Sequence, residues 1–386
     1  MCHKVKVLYI EKYKGFKDFR IDLNEALTVL VGANGTGKTT ILEVIYNVLS
    51  GNIEYFLDDN NFKSVTVELE NNYRIKISHN EIYINDEKVE TSDEFFTKQK
   101  VIYFPSEVAF KNYEITGPSK LDTIDKDITL NADKMSKDLK QFLVNQKYQD
   151  LSDIADGNTK SANRINRFKQ IYNEFLSGKK FVGIDNDSFE PIFELDDTKE
   201  RITIEKLSSG EKQIFYKGGS LIQYGENKKI NVLIDEPEIS MHPEWQQKIL
   251  KFYRNINPNA QFVFATHSPH IVSCCRKEEI RVIEKKQNML YVNNDIVNTY
   301  GLTNEEILFN IFDLNSVRNL DVQKDLDEYK DLFIREEFLT QEEKEKMKEL
   351  KKKLKETYGL SKSDIAILEF ESNTNMFEEK LKELGD

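Results

Sequence analysis

The chain has 386 residues, 39% hydrophobic and 32% charged, with a formal net charge of −12. That length allows one large or two moderate domains with a real core, and the acidic balance excludes a protein that coats nucleic acid with its whole surface. Charges interrupt every apolar run at the amino terminus, and no stretch approaches the roughly 20 apolar residues a bilayer span needs, so a cytoplasmic protein without a membrane partner is expected.

In chain order, "KVKVLYI", "FRIDL" and "LTVLV" read as strands. The third runs into "GANGTGKTT", which matches G-x-x-x-x-G-K-[ST] from Gly32 to Thr39, and "KTTILEVIYNVLS" follows with helical spacing at Ile41, Leu42, Ile45, Val48 and Leu49. A glycine turn between strand and helix is the plain alternative, but the sequence and its flanks suit a phosphate loop. Gly32, Gly35 and Gly37 let backbone N–H groups turn inward around a phosphate, with Asn34 on the same loop. Lys38 would reach the outer phosphates of ATP or GTP, Thr39 would ligate the Mg2+ that bridges them, and Thr40 supports at most.

After the first helix, "SVTVELE", "YRIKIS" and "EIYIN" form a meander with turns at Asn71–Asn72 and Asn85–Asp86, and "VIYF" is a further strand. Residues 121–180 read as a helical insert, in which Ile165, Phe168, Tyr172, Phe175 and Leu176 share a face. Strand and helix then alternate through 181–312, as in a parallel sheet wrapped by helices. Residues 313–386 turn to charged helices, opened in part by a Thr340–Glu343 capping box. The expected division is therefore 1–120, 121–180, 181–312 and 313–386.

Three further signals lie in the second half. "NVLIDE" ends an apolar strand in Asp235, suited to hold a magnesium-bound water, and Glu236, suited to orient and deprotonate the attacking water; an ordinary strand end is the alternative. "LSSGEKQ" is by itself a helix cap at Ser208 or Ser209. "FVFATHSPH" places His267 just beyond a strand, where a lone histidine is ordinarily structural. The cysteines Cys2, Cys274 and Cys275 have no zinc or redox spacing, and five scattered histidines do not make a nuclease centre.

In this order, with these spacings, the motifs resemble those of the ABC-class ATPases over residues 1–312. More narrowly, "IDEPEISMHPEW" and "ATHSPHIV" are similar to the OLD-like AAA ATPases of bacterial anti-phage defence systems, such as the PtuA family of Septu and the AriA family of PARIS. The resemblance implies an α/β ABC-type ATPase head with a mixed sheet, an antiparallel β subdomain, a helical insert and a helical C-terminal tail. It also implies that Ser208 and the N–H of Gly210 bind the γ-phosphate of a nucleotide on the opposite subunit, that His267 contacts γ-phosphate, and that Ser240 and His242 touch across the dimer. Two copies would then sandwich ATP as a homodimer, or within a larger oligomer, and control a separate effector such as a nuclease or toxin.

Departures from relatives narrow the choice. A glutamine-loop equivalent is not evident, with Gln99 and Glu107 as candidates; the insert is too short for an SMC arm and the tail too small for a Toprim domain. A DNA-repair clamp of the RecF or SMC class remains the alternative, since Arg164, Arg167 and Lys169 and the lysines from Lys344 to Lys355 leave nucleic acid open as a partner. A transporter motor is the third reading and would need a membrane subunit. In the tail, Met347, Leu350 and Leu354 form an apolar stripe, followed by Phe370 and Met376, to be covered either by the ATPase core or by a partner.

Overall fold

In the computed structural model, which describes residues 2–106, 113, 115–119, 128–129, 132–158, 163–287, 289–314 and 318–358, the amino terminus is a hairpin of β1 (Val5–Tyr13) and β2 (Phe16–Asp22). Strand β3 (Leu27–Val31) passes through the glycine loop into α1 (Lys38–Ser50), followed by the single turn α2 (Glu54–Leu57). The meander is β4 (Ser64–Leu69), β5 (Arg74–Ser78), β6 (Glu81–Ile84) and a fourth strand not evident in the sequence, β7 (Glu87–Val89). Asn71, Asn72, Asn85 and Asp86 take positive φ, which Asn and Asp tolerate, and so close two of its turns. The turn α3 (Glu94–Lys98) leads to β8 (Val101–Phe104) and the short β9 (Ile128–Thr129).

The insert contains α4 (Ala132–Ala155) and α5 (Arg164–Phe175), with Phe168, Tyr172 and Phe175 buried. A three-stranded antiparallel sheet of β10 (Lys179–Ile184), β11 (Pro191–Leu195) and β12 (Arg201–Thr203) follows. The sequence gives little sign of β10, whose lysines and Gly183 dilute its apolar pattern. Next come α6 (Ser209–Gly225), β13 (Asn231–Asp235), α7 (Pro243–Gln246), α8 (Ile249–Ile256), β14 (Gln261–Ala265) and α9 (Pro269–Val272). Strands β15 (Ile280–Lys286) and β16 (Met289–Asn293) and helix α10 (Asn304–Asn310) complete this unit, Met1–Phe312.

The central sheet runs β16-β15-β3-β14-β13-β8-β9, and β3, β14 and β13 are consecutive parallel neighbours. All three strands are buried throughout, because both faces of the sheet are covered. Alternate residues feed two cores: Leu30, Leu233 and Val263 pack with α1 and the antiparallel sheet β2-β1-β4-β5-β6-β7, whereas Val31, Ile234 and Phe264 pack with α4, α5, α6 and α8. The unit Met1–Phe312 thus has the mixed α/β fold of an ABC-type ATPase head. Among the described residues no helix is long and apolar enough to cross a membrane.

The second unit, Asp313–Asp386, contains α11 (Leu320–Ile334) and α12 (Gln341–Glu356), the latter opened by the Thr340–Glu343 capping box. Leu350 and Leu354 are buried with Leu326, Tyr329, Leu332 and Leu339, and Met347 packs against them. The stripe is therefore covered by α11 of its own hairpin, an arrangement that neither expected partner anticipates. Local antiparallel pairing satisfies it, and Lys353 adds an ion pair to Asp325 at 2.6 Å. Phe370 and Met376 lie outside the described residues.

Candidate functional site

The glycine loop ends at Gly37, which caps α1 with φ 82°. A Cβ there would stand 2.4 Å from the Phe16 ring, so only glycine fits between the β1–β2 hairpin and the helix start. Gly35 is also left-handed, and Asn34 stands exposed on the loop. Lys38 curls back over the loop, its Nζ donating to the carbonyls of Gly32 at 2.9 Å and Ala33 at 3.1 Å. Burial pushes its ammonium down to about 8, against the pull of Glu236, Asp235 and Glu238. Thr40 is half-buried behind it.

Because β14 lies between β3 and β13, α1 brings Thr39 to the end of the second strand beyond its own. The Thr39 hydroxyl donates to Oδ2 of Asp235 at 2.9 Å. Asp235 is 2% exposed, and burial pushes its carboxyl up to about 6 although the Thr39 hydrogen bond works the other way. Its Oδ1 is shut off from solvent with no hydrogen-bond partner. A hydroxyl beside an orphaned carboxylate oxygen is a donor set that suits a hard cation such as Mg2+.

Glu236 follows in the left-handed region at φ 43°, its N–H donating to the carbonyl of Ala265 at 2.9 Å. That backbone turn leaves its side chain partly exposed, with Oε1 3.8 Å from Nε2 of His267. Burial and the Lys38 ammonium hold the His267 imidazole below its ordinary range, against the pull of Glu236. Lys38, Thr39, Asp235, Glu236 and His267 thus gather at the carboxyl ends of β3, β13 and β14. The open α/β sheet favours that edge for ligands.

Ser208 and Gly210 do not join this group within one chain. Ser208 caps α6: its Oγ accepts from Glu211 N at 3.3 Å, and the Glu211 carboxylate in turn accepts from Ser208 N at 2.7 Å. The plain reading of "LSSGE" as a helix cap is therefore correct as far as it goes, and it leaves Ser208 exposed. Lys179 of β10 pairs with Glu211 at 2.8 Å and fastens the loop to the insert region. A Cβ on Gly210 would meet the carbonyl of Ser240 at 2.3 Å. Ser240 and His242 are exposed next to it, His242 capping α7.

Gln99 is buried before the amino end of β8, where its Oε1 accepts from His3 N at 3.0 Å, at the opposite edge of the sheet from the glycine loop. It is no glutamine-loop residue, and Glu107 lies outside the described residues. Two further residues were not apparent from the sequence. Glu238 accepts from Thr266 Oγ1 at 2.8 Å and from His267 N at 2.7 Å. Lys217, 0% exposed on α6, donates to the carbonyl of Pro105 at 3.2 Å. Burial pushes Lys217 down to about 8 against the pull of Asp235, Glu238 and Glu236. The one available signal was a lysine amid the apolar and small residues of "IFYKGGSLI".

Residues 27–273 match the family described as "AAA domain, putative AbiEii toxin, Type IV TA system". The chain is 26% identical over 352 residues to the Septu protein PtuA of Bacillus thuringiensis, covering 82% of this chain and 85% of that protein. To the Septu protein PtuA of Bacillus mycoides (strain KBAB4) it is 23% identical over 382 residues, covering 91% of this chain but 50% of that longer protein. Among solved structures, an Smc head bound to the C-winged helix domain of ScpA aligns with a TM-score of 0.50 at 14% identity, over 75% of this chain and 97% of that one. This last likeness concerns the fold alone.

Proposed function

The chain belongs to the AAA domain family that matches residues 27–273, and from that premise we propose that it is an ATP-hydrolysing regulatory subunit of an anti-phage defence complex. The observation that carries the reading is the gathering of Lys38, Thr39, Asp235, Glu236 and His267 at one sheet edge. The similarity to Septu PtuA over most of both chains supports the defence role.

In this reading the backbone N–H groups from Asn34 to Thr39 and the Lys38 ammonium hold the β- and γ-phosphates of ATP. Thr39 and Asp235 would hold Mg2+, which when bound supplies charge neutralisation across those phosphates. Glu236, aimed outward by its left-handed backbone, orients the attacking water and takes its proton, a contribution of about 10²- to 10⁴-fold. His267 donates toward the γ-phosphate. Ser208, exposed at the start of α6, and the N–H of Gly210 in its first turn complete the site of a second copy, so that ATP joins two subunits and hydrolysis releases them. The separate effector, a nuclease or toxin, would respond to that change of arrangement.

Two variants test this. Lys38→Ala should lose nucleotide binding, whereas Glu236→Gln should retain binding and lose most hydrolysis, because only the second removes the water-activating group alone. Parental turnover in Glu236→Gln would remove Glu236 from the mechanism.

A further inference from the structure

Glu238 has no part in the chemistry above, yet its carboxylate bridges two loops. Its Oε1 receives both the Thr266 hydroxyl and the His267 N–H, at 2.8 and 2.7 Å. On the histidine side, the sheet fixes the backbone as far as Thr266, whose N–H donates to the carbonyl of Leu30 at 3.1 Å. Beyond it, the His267 N–H is satisfied by the Glu238 side chain, past the end of β13. The imidazole that this backbone carries lies 3.8 Å from Glu236.

On its own side, Glu238 sits between two left-handed residues, Glu236 at φ 43° and Ser240 at φ 61°. Its carbonyl accepts from Met241 N at 2.9 Å, closing the turn. The Ser240 carbonyl then abuts Gly210 so closely that a Cβ there would stand 2.3 Å away. The remaining carboxylate oxygen, Oε2, is shut off from solvent without a hydrogen-bond partner. One side chain therefore joins the segment packed on Gly210 to the loop that carries His267.

We propose that Glu238 is a positioning residue for hydrolysis: it fixes the His267 backbone so that the imidazole stays against Glu236, and ties that placement to the Ser240 segment packed on Gly210. The inference rests on the reading of Glu236 and His267 as groups that act on water and γ-phosphate. Removing the carboxylate frees the His267 N–H and the loop, whereas an amide in its place still offers Oε1 to both donors.

The test uses Glu238→Ala and Glu238→Gln in the full chain, each also combined with His267→Ala. Glu238→Ala should bind ATP within about twofold of the parent and lose about tenfold or more in kcat, and Glu238→Gln should restore most of it. In the His267→Ala background, Glu238→Ala should cost nothing further, because both changes remove one function. A kcat loss that adds to that of His267→Ala, or parental kcat in Glu238→Ala, overturns the proposal. Amide exchange of His267 reads the clamp without reference to turnover: it should quicken about tenfold or more in Glu238→Ala and stay slow in Glu238→Gln. Unchanged exchange in Glu238→Ala overturns the proposal too. If instead His267→Ala hydrolyses ATP like the parent while exchange responds as stated, the role given to His267 fails and the clamp stands. Should Glu238→Ala not fold, Thr266→Val, which removes one of the two donors, should show the same changes in milder form.

Discussion

The hydroxyl of Thr39 donates to Oδ2 of Asp235 at 2.9 Å, joining two residues 196 positions apart in sequence. The same two side chains would hold Mg2+, and the hydrogen bond keeps them adjacent. Asp235→Asn preserves an acceptor for Thr39 and removes a buried charge, so the melting temperature should hold or rise. Affinity for ATP should then become insensitive to Mg2+, because a neutral amide is a poor ligand for a hard cation. Calorimetric titrations with ATP, with Mg2+ and with EDTA, check it; a parental response to Mg2+ would remove Asp235 from the metal site.

Ser208 serves its own helix and, in the proposed sandwich, the partner's nucleotide. Ser208→Ala removes the cap, at a cost of about 1 kcal/mol, and the hydroxyl proposed to reach the partner's γ-phosphate, but leaves the Gly210 N–H and the space for that phosphate. Ser208→Arg loses the same cap and adds a bulky cation on the exposed loop. Both variants should bind ATP within one subunit, but in Ser208→Arg the ATP-dependent increase in mass seen by light scattering should vanish. An ATP-dependent mass increase that persists in Ser208→Arg would mean that the cap is the whole role of "LSSGE".

The glycine loop between β3 and α1 was legible because its geometry is local: three glycines, a lysine and a threonine define it within eight positions, from Gly32 to Thr39. The strands β3, β13 and β14 were legible because burial on both faces demands continuous apolar runs. Glu238 and Lys217 were not. Their partners, Thr266, His267 and Pro105, lie 28, 29 and 112 positions away, and nothing in the spacing of charged residues says which carboxylate will meet which loop. The same limit applied to the tail, where periodicity marked Leu350 and Leu354 as a buried stripe but could not name Leu326, Tyr329 and Leu332 as its cover.

That cover makes the tail testable by itself. Leu350→Glu combined with Leu354→Glu would bury two charges against Leu326, Tyr329, Leu332 and Leu339, at a cost of several kcal/mol. The small cluster that α11 and α12 share cannot absorb that, so helix content should fall by circular dichroism and protease should cut within residues 320–356. Parental helicity and resistance would show that the stripe is not buried by α11.

Lys217 offers a prediction whose sign depends on pH. Burial lowers its ammonium from an ordinary value of 10.5 to about 8, despite the pull of Asp235, Glu238 and Glu236. The folded state therefore holds this proton more weakly than the unfolded chain does. Below about pH 8 the lysine is charged in both states and the fold carries the full penalty, up to about 3 kcal/mol. Between about 8 and 10.5 the unfolded chain binds more protons than the folded one, so this contribution to stability improves as pH rises. Lys217→Met removes the group and fills a similar volume, so it should melt higher than the parent at pH 7. That advantage should shrink as pH is raised to about 9.5. Comparing the two proteins at each pH cancels other groups that titrate there, such as Lys38, also pushed down to about 8, Lys147 and Lys228, which burial pushes down, and the thiols of Cys2, Cys274 and Cys275, which burial pushes up. A variant that melts lower than the parent at pH 7, or a gap that widens toward pH 9.5, would mean that the buried ammonium stabilises the fold through its carboxylate neighbours.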